Sequence, residues 1–202
     1  MTNLRKNKKT IIIGYLSIIL GIGMLCYPIF TNEIVKHKEN KKIEHFFTKE
    51  ITPDIQLEEE DKYLNQSNQY IGILEIPSID LEKGFYDINN INNDVDKNIE
   101  ILNGSDMPDI DNGTFILAGH SGSSIYSYFK DLDKLELNDE IYIYYNNYKY
   151  SYKLVNVYEV EKVGKVRIEK DINKTTLVLI TCKHNTNYQV VFIAELLNKE
   201  IY

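Results

Sequence analysis

Polar and apolar positions divide the chain into three stretches of different rhythm. From Ile11 to Phe30 (IIIGYLSIILGIGMLCYPIF), 20 residues pass without a charge. At about 1.5 Å per residue, a helix of that length crosses a hydrocarbon core. From residue 31 to 68 charges dominate, with Ile34, Ile43, Phe46 and Phe47 among the few large apolar residues. This pattern predicts a helical stalk to about Lys49 and then, beyond Pro53, a flexible acidic stretch, QLEEEDKYLNQSNQ. From Tyr70 the rhythm shortens. YIGILEIPSIDL reads as β-rich runs broken by Pro77, and Glu140–Val160 as two alternating runs joined at Asn146-Asn147. That dipeptide suits a tight hairpin, because Asn tolerates positive φ. Ser124–Leu135 (SIYSYFKDLDKL) sets Tyr126, Phe129, Leu132 and Leu135 at helical spacing and predicts the one clear helix of the body.

The resulting division is a basic N-terminus at 1–9, a transmembrane anchor at 10–31, a charged linker at 32–68 and a folded domain at 69–202. The domain reads as mostly β and largely antiparallel, a small barrel with one or two short helices. The chain has 16 tyrosines, many of them in the hairpin, where a tyrosine packs the sheet and keeps its hydroxyl wet.

Charge sharpens the division. Arg5, Lys6, Lys8 and Lys9 precede the apolar run, and residues 1–30 contain no acid. The positive-inside rule then leaves the N-terminus in the cytoplasm and the body outside, a single-pass protein of the cell membrane. A cleaved signal peptide is the rival reading. Its apolar region is shorter and ends in small residues of the A-x-A kind, whereas this run ends YPIFTN. The net charge is −7, and beyond residue 30 it is 19 basic against 30 acidic, or −11. Binding nucleic acid needs a basic stripe, so nucleic acid is excluded as a partner. Two cysteines, Cys26 and Cys182, make no disulfide framework.

Cys182 ends the apolar run TLVLIT and opens the polar sequence KHNTN. A lone cysteine beside β-branched residues is by default a small buried hydrophobe. At a strand end it meets loops and solvent, and in an oxidising compartment a surface thiol without a use is a liability. A nucleophilic reading needs a base. His37 and His45 fall in the stalk. His184 would share a face with Cys182 if the strand continued, roughly 6–7 Å away, but it opens a polar loop. His120 ends a second apolar run, TFILAGHSG, with glycines on both sides freeing the backbone. A serine nucleophile elbow (G-x-S-x-G) at Ser121 is disfavoured, because position 123 is serine and the alternating strand–helix pattern of that fold is missing. Asp94 and Asp96, and Asp106, Asp109 and Asp111, cluster without an EF-hand pattern. They read as turn formers, so neither a metal nor another cofactor is expected.

LAGHSG at Leu117–Gly122, followed some 60 residues later by TLVLITC, resembles the sortases, cysteine transpeptidases of the Gram-positive surface. IGILEIPSIDL, SDMPD and YFKDLDKLELNDEI extend the resemblance over about Gln69 to the C-terminus. The resemblance implies a closed eight-stranded β-barrel behind a membrane anchor. It implies Cys182 as nucleophile on a Thr–Gly bond of an LPxTG-like sorting signal, with a thioester intermediate, and His120 as acid/base. The partners it implies are surface proteins bearing such a signal and an amine acceptor, from a peptidoglycan precursor or another protein. The family's arginine, which faces the cysteine from the last strand, falls on Gln189. Arg167 and Lys183 are the other candidates for its place, since the only other arginine is Arg5. That departure keeps open a weak or inactive module that binds sorting signals; a cysteine hydrolase is a separate alternative.

Overall fold

The computed structural model describes residues 2–49 and 69–202. The acidic stretch expected to be flexible lies outside the described residues. Two compact units result, residues 1–40 and 41–202.

Helix α1 runs Thr2–Lys49. In the first unit its side chains between Ile11 and Tyr27 are exposed throughout. Leu20 is 74% and Met24 81% exposed. Among the described residues no helix is long and apolar enough to cross a membrane. The expected transmembrane helix is therefore not shown.

In the second unit, eight strands form one sheet in the order β2-β1-β5-β6-β8-β7-β4-β3. The strands are β1 (Gly72–Ile76), β2 (Leu81–Phe85), β3 (Glu100–Ile101), β4 (Thr114–Ala118), β5 (Glu140–Tyr145), β6 (Tyr148–Glu161), β7 (Thr176–Cys182) and β8 (Tyr188–Ile201). All neighbours are antiparallel except β4 and β7. Pro77 ends β1 and starts a 3₁₀ turn, Pro77–Ile79, where a strand cannot use a residue without an N–H. The β5–β6 hairpin turns at Asn146 and Asn147, both at positive φ (50° and 63°), as their side chains allow.

The barrel is nearly closed rather than closed. β2 and β3 stand at the two ends of the strand order, and among the described residues no ladder joins them. β3 is only two residues long, too short to continue the sheet. The buried Asn98 bridges the gap instead, donating through Nδ2 to the Gly84 carbonyl at 2.9 Å.

The predicted helix at Ser124–Leu135 is a chain of turns with one 3₁₀ turn, Leu132–Lys134. The Phe129 amide donates to the His120 carbonyl (3.0 Å), which takes it out of any helical ladder. Most of the remaining bonds are i→i−3, such as Leu132 to Phe129 and Leu135 to Leu132. Phe129, Leu132 and Leu135 are buried, and their spacing of three suits 3₁₀ geometry as well as it suits an α-helix.

Inside the barrel lie Leu74, Ile76, Phe85, Phe115, Leu117, Leu177, Leu179, Phe192 and Ala194 with their neighbours. A second cluster, Ile116, Val178, Ile180, Val191 and Ile193, covers the other face of β4, β7 and β8. A third joins the end of α1 to the sheet. Ile43, Phe46 and Phe47, at i, i+3 and i+4, meet Tyr70, Ile73, Tyr86 and Tyr144. Lys42 Nζ donates to Tyr86 Oη at 2.6 Å.

Candidate active site

Strand register decides which side chains meet. On β7 the even residues Val178 and Ile180 belong to the outer cluster, so Cys182 continues that face at the strand's end. Across β8, Cys182 lies directly opposite Gln189, and Gln189 opposite Val160 of β6. On the other side β4 runs parallel to β7, with Ala118 beside Ile180. The ladder continues past the formal end of β4, since the Gly119 amide donates to the Ile180 carbonyl at 3.1 Å. Ser121 takes the next rung with its hydroxyl, which donates to the Cys182 carbonyl. Two residues on from Ala118, the register therefore sets His120 beside Cys182. Neighbouring strands are about 4.8 Å apart. Cys182, Gln189 and Val160 thus form one row across β7, β8 and β6, and the register extended two residues past the end of β4 brings His120 to it.

The His120 position is fixed from several sides. Thr181 Oγ1 donates to the Gly119 carbonyl at 2.7 Å. A Cβ on Gly119 would stand 2.8 Å from the Phe129 ring, so only glycine lets the strand run this close. His120 Nε2 stands 2.8 Å from Asp96 Oδ1, with the histidine side chain 40% and the aspartate 81% exposed. Asp96 in turn sits in a turn capped by Asp94, whose Oδ1 accepts the Asp96 amide at 3.0 Å. That bond and the Lys97 ammonium hold the Asp94 carboxyl below its ordinary pKa.

Cys182 is half-buried. Lys162 Nζ approaches its Sγ to 3.5 Å. Lys162 follows β6 directly, and its amide donates to the Asn187 carbonyl at 2.9 Å. Gly164, at φ 78°, then turns the chain back over the outer face. There Val166 and Ile168 pack on the outer cluster. Tyr158 Oη donates to the Arg167 carbonyl (2.8 Å) and accepts the Glu169 amide (2.9 Å). Burial raises the pKa of this phenol, so it remains a donor. The row thus offers a thiol, an imidazole, an amide and an ammonium on one sheet face, a set suited to nucleophilic acyl chemistry.

A sortase-domain family model matches residues 74–197, more than half of the chain. The chain belongs to the sortase family. Sortases are cysteine transpeptidases. Sortase A of Bacillus anthracis is 32% identical over 130 residues, covering 61% of this chain and 58% of the relative. The chain thus spans under two thirds of that relative's length. Among solved structures, the sortase D5 transpeptidase of Clostridium perfringens is 21% identical with a TM-score of 0.59, over 81% of this chain and 98% of that one. Listeria monocytogenes sortase A is 21% identical with a TM-score of 0.56, over 66% and 90%. At these identities the structural likeness is one of fold.

Against the sortase pattern, the register sets Gln189, where the resemblance puts an arginine, across from Cys182. Lys183 falls on the opposite face and binds Glu159 Oε1 at 2.5 Å. Arg167 is exposed between the two loop residues that pack on the sheet. His184 is exposed in the turn after β7. Asp106 accepts the Thr114 amide at 2.8 Å, as a turn former does. Among the described residues no group of three or more His, Cys, Asp or Glu could hold a metal. Sequence reasoning missed Lys162 and Asp96 as neighbours of the row. No local signal identifies Lys162; only the β6–β8 register does.

Proposed function

We propose that this sortase is an active transpeptidase in which Cys182 is the nucleophile and His120 the acid/base. The observation that carries the reading is the row itself. Two strand ends more than sixty residues apart in sequence are brought side by side on one face. In the first step the Cys182 sulfur attacks the carbonyl carbon of a Thr–Gly-like bond in an LPxTG-like sorting signal. The C–S bond forms, the C–N bond breaks, and His120 gives its proton to the leaving amine. In the second step an amine of the cell wall or of another protein attacks the thioester. His120 takes its proton, a new C–N bond forms, and the thiolate leaves. The Gln189 amide opposite the sulfur donates a hydrogen bond to the developing oxyanion.

The apolar run Ile11–Phe30 is proposed as a single membrane anchor, with a cytoplasmic N-terminus and an external catalytic domain. Support comes from its unbroken helix, the exposure of its described large side chains and the four basic residues before it. The test of function uses the full chain in detergent with LPxTG-type peptides and hydroxylamine. A thioester should be trapped on Cys182 and be absent in Cys182→Ala; turnover retained by that variant sinks the reading. A second reading, a binding module with little turnover, is favoured by one observation, the neutral Gln189 where an arginine is expected. Peptide binding without cleavage would select it. Products unchanged by added amine would select a hydrolase.

A further inference from the structure

We propose that Lys162 is a catalytic residue of this sortase, supplying beside Cys182 the positive charge that Gln189 does not. The inference rests on Cys182 being the nucleophile, as proposed above. Its basis is geometric. Lys162 Nζ stands 3.5 Å from Cys182 Sγ, within reach of the reacting atom. The opposing position on β8 is an uncharged amide. Each other candidate cation is engaged or placed elsewhere. Lys183 is bound to Glu159 on the opposite face, and Arg167 is exposed on the covering loop.

Lys162 is also held in place at both ends of its short segment. Its amide is fixed to the Asn187 carbonyl, at the base of the β7–β8 turn. Beyond the Gly164 turn, Val166, Ile168 and the two Tyr158 hydrogen bonds fasten the loop to the outer face. The stem therefore starts from a fixed backbone and crosses the end of β8 toward the sulfur. An ammonium there favours each state with negative charge on the sulfur or on the carbonyl oxygen bound next to it. Both steps of transpeptidation pass through such states. The charge thus reaches the site from the strand beyond β8 rather than from β8 itself.

The test uses the full chain in detergent, in a Cys26→Ser background so that Cys182 is the only thiol. Turnover is read with a fluorogenic LPxTG-type peptide library and hydroxylamine. Lys162→Met should lower kcat about 100-fold with KM within about twofold, the pattern of a group acting in the transition state. Lys162→Arg should hold kcat within about fivefold. Adding Gln189→Arg to Lys162→Met should recover at least about tenfold, since the charge then comes from the opposite strand. A second readout is independent of substrate: the ratio of Cys182 labelling rates by an anionic and a cationic methanethiosulfonate. Lys162→Met should lower that ratio several-fold and Lys162→Arg should keep it, with circular dichroism melts unchanged. A Lys162→Met kcat within threefold of the parent, an unchanged labelling ratio, or stable attachment of peptide to Lys162 itself would overturn the proposal. Turnover surviving in Cys182→Ala would instead overturn the reading beneath it, and the labelling ratio would still report the charge.

Discussion

On β7, Leu177 and Leu179 point into the barrel, while Val178 and Ile180 lie on the outer face and lead to Cys182. On β8, Phe192 and Ala194 point inward, while Ile193 and Val191 lead to Gln189. Both faces are apolar and buried through the middle of the sheet. They part company only at the strand ends. The inner row ends at the buried Thr181 and then the exposed Lys183–Glu159 ion pair, whereas the outer row runs out into thiol, imidazole and amide. One sheet therefore has a face that holds the barrel together and a face that carries chemistry, separated by a single step of register. Fold and site should then fail separately when residues are changed one position apart.

The largest effect tests that separation directly. Phe192→Ala opens a cavity inside the barrel and should cost about 3–5 kcal/mol of stability, read as a lower urea midpoint. Gln189→Ala, three residues earlier on the same strand and on the other face, should leave the midpoint within about 0.5 kcal/mol. It should lower kcat about tenfold through loss of one neutral donor. A Gln189→Ala variant that melts like Phe192→Ala would show that the outer row is core after all.

A smaller effect sharpens the inner side. Tyr152 is fully buried, and its hydroxyl has no hydrogen-bond partner among the described residues. Burial raises its pKa, because an ionised phenol there would lose its water. The sign follows from linkage. Above pH 10 the unfolded chain releases this proton and the folded chain keeps it, so the folded state loses ground as pH rises. Below pH 10 both states are protonated and the difference vanishes. Tyr152→Phe removes an unsatisfied group and should be neutral or stabilising by up to about 1 kcal/mol at pH 7. It should also flatten the fall in urea midpoint between pH 9.5 and 11. A large loss at pH 7 would mean that the hydroxyl has a partner after all.

What the sequence made legible followed from local pattern. The apolar runs before His120 and Cys182 marked two strand ends, and Asn146-Asn147 marked a hairpin; each is where it was expected. The helix at Ser124–Leu135 was misread because its decisive bond is not local: the Phe129 amide goes to His120, nine residues back. Closure of the barrel depended on whether β2 meets β3, a tertiary matter that strand propensity does not address. Lys162 was invisible for the same reason. In KVGKVR one lysine looks like the next, and only the register of β6 on β8 singles out the one that reaches sulfur. Gln189 was legible as a position, since counting along β8 needs no knowledge of neighbours. The row is thus half written in strand ends and half in pairings that form only when the chain folds.

The smallest expected effect concerns the other side of the row. Asp96 Oδ1 lies within hydrogen-bond distance of His120 Nε2, at 2.8 Å, the contact an orienting carboxylate of the triad kind makes. Its surroundings argue for a weaker role. The aspartate side chain is 81% exposed, and an ion pair so open to water contributes little and is screened by salt. A triad carboxylate is buried, so that the imidazole loses its orientation when the carboxylate is replaced. Asp96→Asn should therefore lower kcat by no more than about threefold in 50 mM salt, and the difference from the parent should shrink in 500 mM salt. The Lys162 ammonium beside the sulfur is exposed as well, so its contribution should also shrink in 500 mM salt. If Asp96→Asn instead costs a hundredfold at both salt concentrations, His120 is oriented through this carboxylate when substrate covers the site. The outer row would then extend one member beyond β4.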